Sequence, residues 1–128
     1  IKTIGDAYMA VTGLHSYDEE HASNMVNTGL EFVSHLNKRN EVSSLTWQCR
    51  VGIHSGKLIA GIIGKTRFIY DVVGDDVNIA ARVESAGSPM KVTITGTTKN
   101  LLSSEISTQS AGISTLKGKG AMELFLVT

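Results

Sequence analysis

Apolar residues follow two different rhythms along this chain, and each predicts a different element. Over residues 18–37, Ala22, Met25, Val26, Gly29, Leu30, Val33 and Leu36 recur every three or four positions, with Glu20, Asn24, Asn27, Glu31 and Ser34 between them. That spacing predicts an amphipathic helix. Leu45, Trp47, Cys49, Val51 and Ile53 instead alternate with polar or small residues, the pattern of a half-buried strand. His54-Ser55-Gly56 reads as a turn. Leu58 to Ile63 follows as a second, more fully buried strand, and Phe68 to Val73 as a third that ends at Gly74.

The flanks complete the order. Residues 1–4 and 7–13 surround Gly5-Asp6, a dipeptide suited to a two-residue hairpin turn. A helix is predicted over 76–86, capped by Asp75 or Asp76, with Val77, Ala80, Ala81 and Glu84 at helical spacing. Lys91 to Thr95 reads as a strand and Thr97 to Leu102 as a short helix. Thr115-Leu116, a Gly-Lys-Gly turn and a strand from Met122 to Val127 end the chain. The order ββαββ, then βαβαβ, predicts an α+β fold with helices on a mostly antiparallel sheet. No internal repeat or linker divides the 128 residues, so they form one domain or a piece of one.

Composition narrows the function classes. Twelve basic residues balance twelve acidic ones, so no overall field draws the chain to nucleic acid or to an anionic membrane. A single cysteine, Cys49, leaves no internal disulfide and suits a reducing compartment. The longest apolar runs fall short of the roughly 20 residues a membrane span needs, and no signal-peptide pattern is present. A cytoplasmic domain is expected, in a parent chain that can carry sensor or membrane segments.

Several motifs offer chemistry and fail on context. Gly61-Ile-Ile-Gly-Lys-Thr66 ends like a phosphate-binding loop. The glycine spacing is wrong, however, and the loop leads to a strand where the motif needs a helix. His15, His21, His35 and His54 have no metal-ligand spacing with one another or with Cys49. Ser55 lies in no nucleophile elbow and has no evident base. What remains is a set of separated stretches, with Asn78 and Arg82 four apart and therefore on one helical face.

Lys2–Leu14 (KTIGDAYMAVTGL), Arg50–Gly64 (RVGIHSGKLIAGIIG), Tyr70–Ser85 (YDVVGDDVNIAARVES) and Leu116–Val127 (LKGKGAMELFLV) together resemble, in order, the signature stretches of the class III nucleotidyl cyclase catalytic domain. The likeness covers nearly the whole chain and is most like an adenylate cyclase. It implies a ferredoxin-like βαββαβ core with extra strands. It implies conversion of ATP to 3′,5′-cyclic AMP and pyrophosphate, with two divalent ions, Mg2+ or Mn2+, in each complete site. Asp6 matches the second metal carboxylate, at the tip of the hairpin. Lys2 and Asp71 match the pair that reads the purine. Asn78 matches the residue that orients the ribose, and Arg82 the one that stabilises charge on the transferring phosphorus. Lys117 matches a lysine on the terminal phosphates, with Lys119 close enough to be confused with it.

The adenine assignment has its own chemical logic. Adenine presents an acceptor at N1 and a donor at its amino group, which a donor-only lysine and an acceptor-only aspartate complement. Guanine presents the reverse, and guanylate cyclases typically carry glutamate and cysteine or serine at these places. The alternatives are therefore a guanylate cyclase or a catalytically inactive cyclase-like regulator. Family members work as head-to-tail dimers with sites between chains; since both halves of the site occur here, a homodimer is expected. Two departures stand out. Asp76 replaces a threonine common in the family and is read as an alternative helix cap. The family's first strand, with the first metal aspartate, has no counterpart in residues 1–128, so the isolated segment is expected to be inactive.

Overall fold

The computed structural model describes residues 2–14, 16–63 and 69–128. Strands β1 (Lys2–Ile4) and β2 (Ala7–Met9) form the hairpin, in the register Lys2↔Met9, Thr3↔Tyr8 and Ile4↔Ala7. Gly5 takes φ +60°, the conformation a type II′ turn asks of its first central residue. Helix α1 runs from His21 to Glu41, three residues later at its start and four at its end than the apolar face alone predicts. At the start, the Asp18 carboxylate accepts from the Glu20 backbone N–H (2.9 Å) and from the Asn24 side chain (3.1 Å). At the end, Lys38 and Arg39 occupy the last turn, where positive charge complements the helix dipole.

A four-stranded sheet, ordered β3-β6-β8-β7, is the body of the domain. Its strands are β3 (Val51–Ile53), β6 (Val92–Thr95), β7 (Thr108–Leu116) and β8 (Gly120–Val127). β3 and β6 are parallel, and the other pairs are antiparallel. Between them in sequence come the hairpin β4 (Ile59–Ile63) and β5 (Ile69–Val73), helix α2 (Asp75–Ala86) and the short helix α3 (Gly96–Lys99). Alternation along the strands separates two cores. Ile53, Val92, Ile94 and Val127 bury against Val26 and Val33 of α1. Leu116 and Leu124 bury against Ile79 and Val83 of α2.

Several expectations change. Only the last three residues of the predicted 45–53 strand pair in a sheet. The reason is local: Asn40 receives the Trp47 N–H (3.0 Å) and donates to the Trp47 carbonyl (2.7 Å), while Arg39 donates to the Leu45 carbonyl (3.1 Å). The end of α1 thus supplies the partners a neighbouring strand would, and the Arg39 guanidinium lies 4.5 Å from the Trp47 ring centre. β7 was not visible in the pattern. It is a polar edge strand with Gly112 at φ +86° beside a register shift, and its backbone pairing with β8 does not depend on alternation. The buried face of α2 is Ile79 and Val83, not Val77, Ala80, Ala81 and Glu84. Its N-cap is Gly74, with no side-chain cap, which corrects the capping role given to Asp75 or Asp76. The predicted helix over 97–102 is the single turn of α3, one residue earlier, followed by irregular chain. Gly64 to Thr66 of the Gly-Ile-Ile-Gly-Lys-Thr loop, along with His15 and Phe68, lies outside the described residues.

Asp75 has a different task from capping. Its carboxylate pairs with the Lys119 ammonium and ties the β7–β8 turn to the first turn of α2. Asp75 is largely exposed, its side chain at 66%, and such pairs contribute about 0–1 kcal/mol. Lys119→Ala is therefore expected to lower unfolding free energy by no more than about 1 kcal/mol. A urea titration that shows a loss several times larger would mean the pair holds the turn in a way its exposure denies.

Candidate active site

The predicted site residues sit on four separate features. Asn78 and Arg82 lie one turn apart on α2, Asn78 exposed and Arg82 half-buried. Burial of Ile79 and Val83 fixes the rotation of the helix. Lys117 is exposed in the β7–β8 turn, which the Lys119–Asp75 pair brings to the start of α2. Among the described residues, Lys119 is engaged in an ion pair and Lys117 in none. Asp71 lies in β5 opposite Gly61, four residues before α2 begins. Lys2 lies in β1 opposite Met9, and Asp6 is exposed at the tip of that hairpin.

The structure therefore gathers the α2 residues and the Lys117 turn. No hydrogen bond or ion pair among the described residues joins Asp6 to them. Nor, among the described residues, do three or more His, Cys, Asp or Glu side chains cluster as a metal site. A lone exposed carboxylate does fit one mode of magnesium binding. Mg2+ keeps most of its waters and takes only one or two protein carboxylates, with substrate phosphates supplying the rest.

One constellation escaped the sequence reading. The side chain of His54, at the end of β3 and 6% exposed, meets Asp76 of α2 through Nε2 (2.8 Å). A carboxylate can only accept, so Nε2 carries the proton. On the other side, His54 Nδ1 is 2.8 Å from Thr95 Oγ1, and Ser55 Oγ is 2.9 Å from Thr98 Oγ1. Thr95 and Thr98 are fully buried. The second Asp76 oxygen accepts the Lys57 N–H (2.9 Å). In the sequence, His54 stands in a turn without metal-ligand spacing and Asp76 at a capping position. They are 22 residues apart, and no local spacing announces their meeting.

His54 and Asp76 also line a cavity of about 350 Å3 that opens between the segment after β2, the start of α1 and the first turns of α2. Val11, Leu14, His21 and Ile53 contribute to its wall, whereas Asp6, Asn78, Arg82 and Lys117 do not. Burial pushes the Cys49 thiol above its ordinary pKa, the opposite of an activated nucleophile. No helix among the described residues is long and apolar enough to cross a membrane.

Comparison with known proteins gives this geometry a family. The model of the adenylate and guanylate cyclase catalytic domain matches residues 1–128. The chain is 42% identical over 102 residues to Adenylyl cyclase X E of Drosophila melanogaster, covering 80% of this chain and 9% of that protein. It is 38% identical over 131 aligned positions to the receptor-type guanylate cyclase gcy-13 of Caenorhabditis elegans, covering 98% of this chain and 13% of that protein. The segment therefore spans about a tenth of the length of these relatives. The guanylate cyclase domain of RhGC from Catenaria anguillulae, solved in complex with GTP, superimposes with a TM-score of 0.90 at 32% identity, covering 99% of this chain and 70% of that one.

Proposed function

The chain belongs to the adenylate and guanylate cyclase catalytic domain family, and we propose that it forms part of an adenylate cyclase converting ATP to 3′,5′-cyclic AMP and pyrophosphate. In this reaction the ribose 3′-oxygen attacks the α-phosphorus, and the bond from that phosphorus to the β-phosphate oxygen breaks. Asn78 orients the ribose. Arg82 stabilises the charge that builds on the phosphorus, a task suited to its planar, permanently charged donor fork. Lys117 holds the terminal phosphates. Asp6 would hold a divalent cation, Mg2+ or Mn2+; when bound, such an ion lowers the pKa of the hydroxyl and offsets phosphate charge. The working unit is a head-to-tail homodimer, with Lys2 and Asp6 serving opposite sites. Input comes from sensor or membrane domains of the parent chain.

The observation that carries ATP over GTP is the pair Lys2 and Asp71, a donor and an acceptor complementary to adenine. The second reading, a guanylate cyclase, draws support from relatives such as gcy-13. Turnover of ATP and GTP by the full-length protein separates them. Lys2→Glu with Asp71→Cys should lower the ATP-to-GTP ratio of kcat/KM by at least about tenfold, because a mismatched buried polar edge costs about 1–3 kcal/mol. An unmoved ratio would remove these two residues from base selection.

A further inference from the structure

We infer that His54 is a positioning residue for the proposed cyclisation, acting through Asp76 to fix the first turn of α2 and with it Asn78 and Arg82. This rests on the roles given to those two residues above. The helix does not fix its own start. Gly74, its N-cap, has φ +142° and contributes no side chain, and the capping position makes no side-chain hydrogen bond. Asp76, in the first turn, instead reaches out of the helix to the end of β3. One oxygen takes the His54 Nε2–H (2.8 Å) and the other the Lys57 N–H (2.9 Å). The approach is close because position 56 is glycine: a Cβ there would lie 2.5 Å from Asp76 Oδ1.

His54 is held in turn. Thr95 and Thr98 are fully buried at the β6–α3 junction, where the Thr98 N–H donates to Thr95 Oγ1 (3.4 Å). With the ring neutral, every donor has an acceptor along one line. Ser55 donates to Thr98 (2.9 Å), Thr98 to Thr95 (3.4 Å), Thr95 to His54 Nδ1 (2.8 Å) and Nε2–H to Asp76. Such a partly buried, fully used chain favours one ring orientation. The sheet thereby anchors the first turn of α2 at Asp76, two residues before Asn78 and six before Arg82.

Two near-isosteric substitutions in the full-length protein test this. The His54→Asn side chain keeps a polar group near Nδ1 and loses the reach to Asp76, whereas His54→Gln retains an N–H that can donate to the carboxylate. His54→Asn is expected to lower kcat by roughly tenfold or more with KM changed less than about twofold, since small misplacement of catalytic groups is costly. His54→Gln should recover most of that loss. Combining His54→Asn with Asp76→Asn should cost little more than either alone, as for two members of one link. Hydrogen exchange at Val77 and Asn78 should quicken in His54→Asn and not in His54→Gln. Unchanged kcat and exchange in His54→Asn, or equal losses in both variants, would overturn the inference. If the unmutated protein forms no cyclic nucleotide, the proposed function fails on its own. The exchange comparison then decides the role of His54 alone: a difference between the two variants supports it, and no difference ends it.

Discussion

Arg82→Ala is expected to lower kcat by about 10²- to 10³-fold while leaving KM and folding stability close to their original values. The expectation follows from where the side chain stands. Ile79 and Val83 face the core, and Arg82 is half-buried on the face it shares with Asn78. Among the described residues the guanidinium has no hydrogen-bond or ion-pair partner, so thermal unfolding should scarcely move. The loss falls on the transition state, where charge on the transferring phosphorus meets a preorganised donor fork, an effect worth about 3–4 kcal/mol in comparable sites. Arg82→Lys should restore only part of the rate, because a lysine keeps the charge and lacks the paired planar donors. The measurement is steady-state turnover by the full-length protein, with circular dichroism melts as the folding control. A kcat within about threefold of the original would take Arg82 out of the chemistry.

What the sequence disclosed depended on which force made each element. α1 was legible because its burial is periodic: Ala22, Val26, Gly29, Val33 and Leu36 are all buried as their spacing requires. The hairpin was legible because Gly5 is written for its turn. β7 was hidden because hydrogen bonds to β8 hold it, and Ser, Thr and Gly at an edge carry no burial signal. The first part of the strand predicted over 45–53 failed for the converse reason. Alternation was present, yet Leu45 and Trp47 are 61% and 55% exposed, and Asn40 and Arg39 satisfy their backbone.

The site shows the same division. Asn78 and Arg82 could be paired because four residues on a helix is a local relation. The pairing of Lys119 with Asp75 spans 44 residues and has no local signal. The link from His54 to Asp76 joins a strand end to a helix start across 22 residues, and tertiary folding alone creates it. A departure at position 76 was visible in the sequence. Its partner was not.

Among the described glycines, Gly52→Ala is expected to be the most damaging single-methyl change, and it tests whether the sheet sets the place of α2. Gly52 is the middle residue of β3, flanked by Val51 and Ile53, which pack towards α1. Its own missing side chain points the other way. A Cβ there would lie 2.5 Å from the Cα of Glu84 and closer still to the Glu84 backbone nitrogen. Backbone cannot rotate aside as a side chain can, so the helix must lift or the strand must bend. Overpacking of this kind costs about 1–3 kcal/mol and occasionally more, and the upper end applies here. At a urea dependence of about 1.5 kcal/mol per molar, a cost of about 3 kcal/mol moves the unfolding midpoint by about 2 M. Gly112→Ala supplies the contrast. That glycine has φ +86° but open space around it, so the change should cost only about 1 kcal/mol of backbone strain. Because α2 carries Asn78 and Arg82, whatever Gly52→Ala protein remains folded should also cyclise nucleotide more slowly, at a KM closer to the original than kcat is. A midpoint for Gly52→Ala no lower than that for Gly112→Ala would show that α2 can move off β3 at little cost, and the rigid placement argued for the site would fail with it.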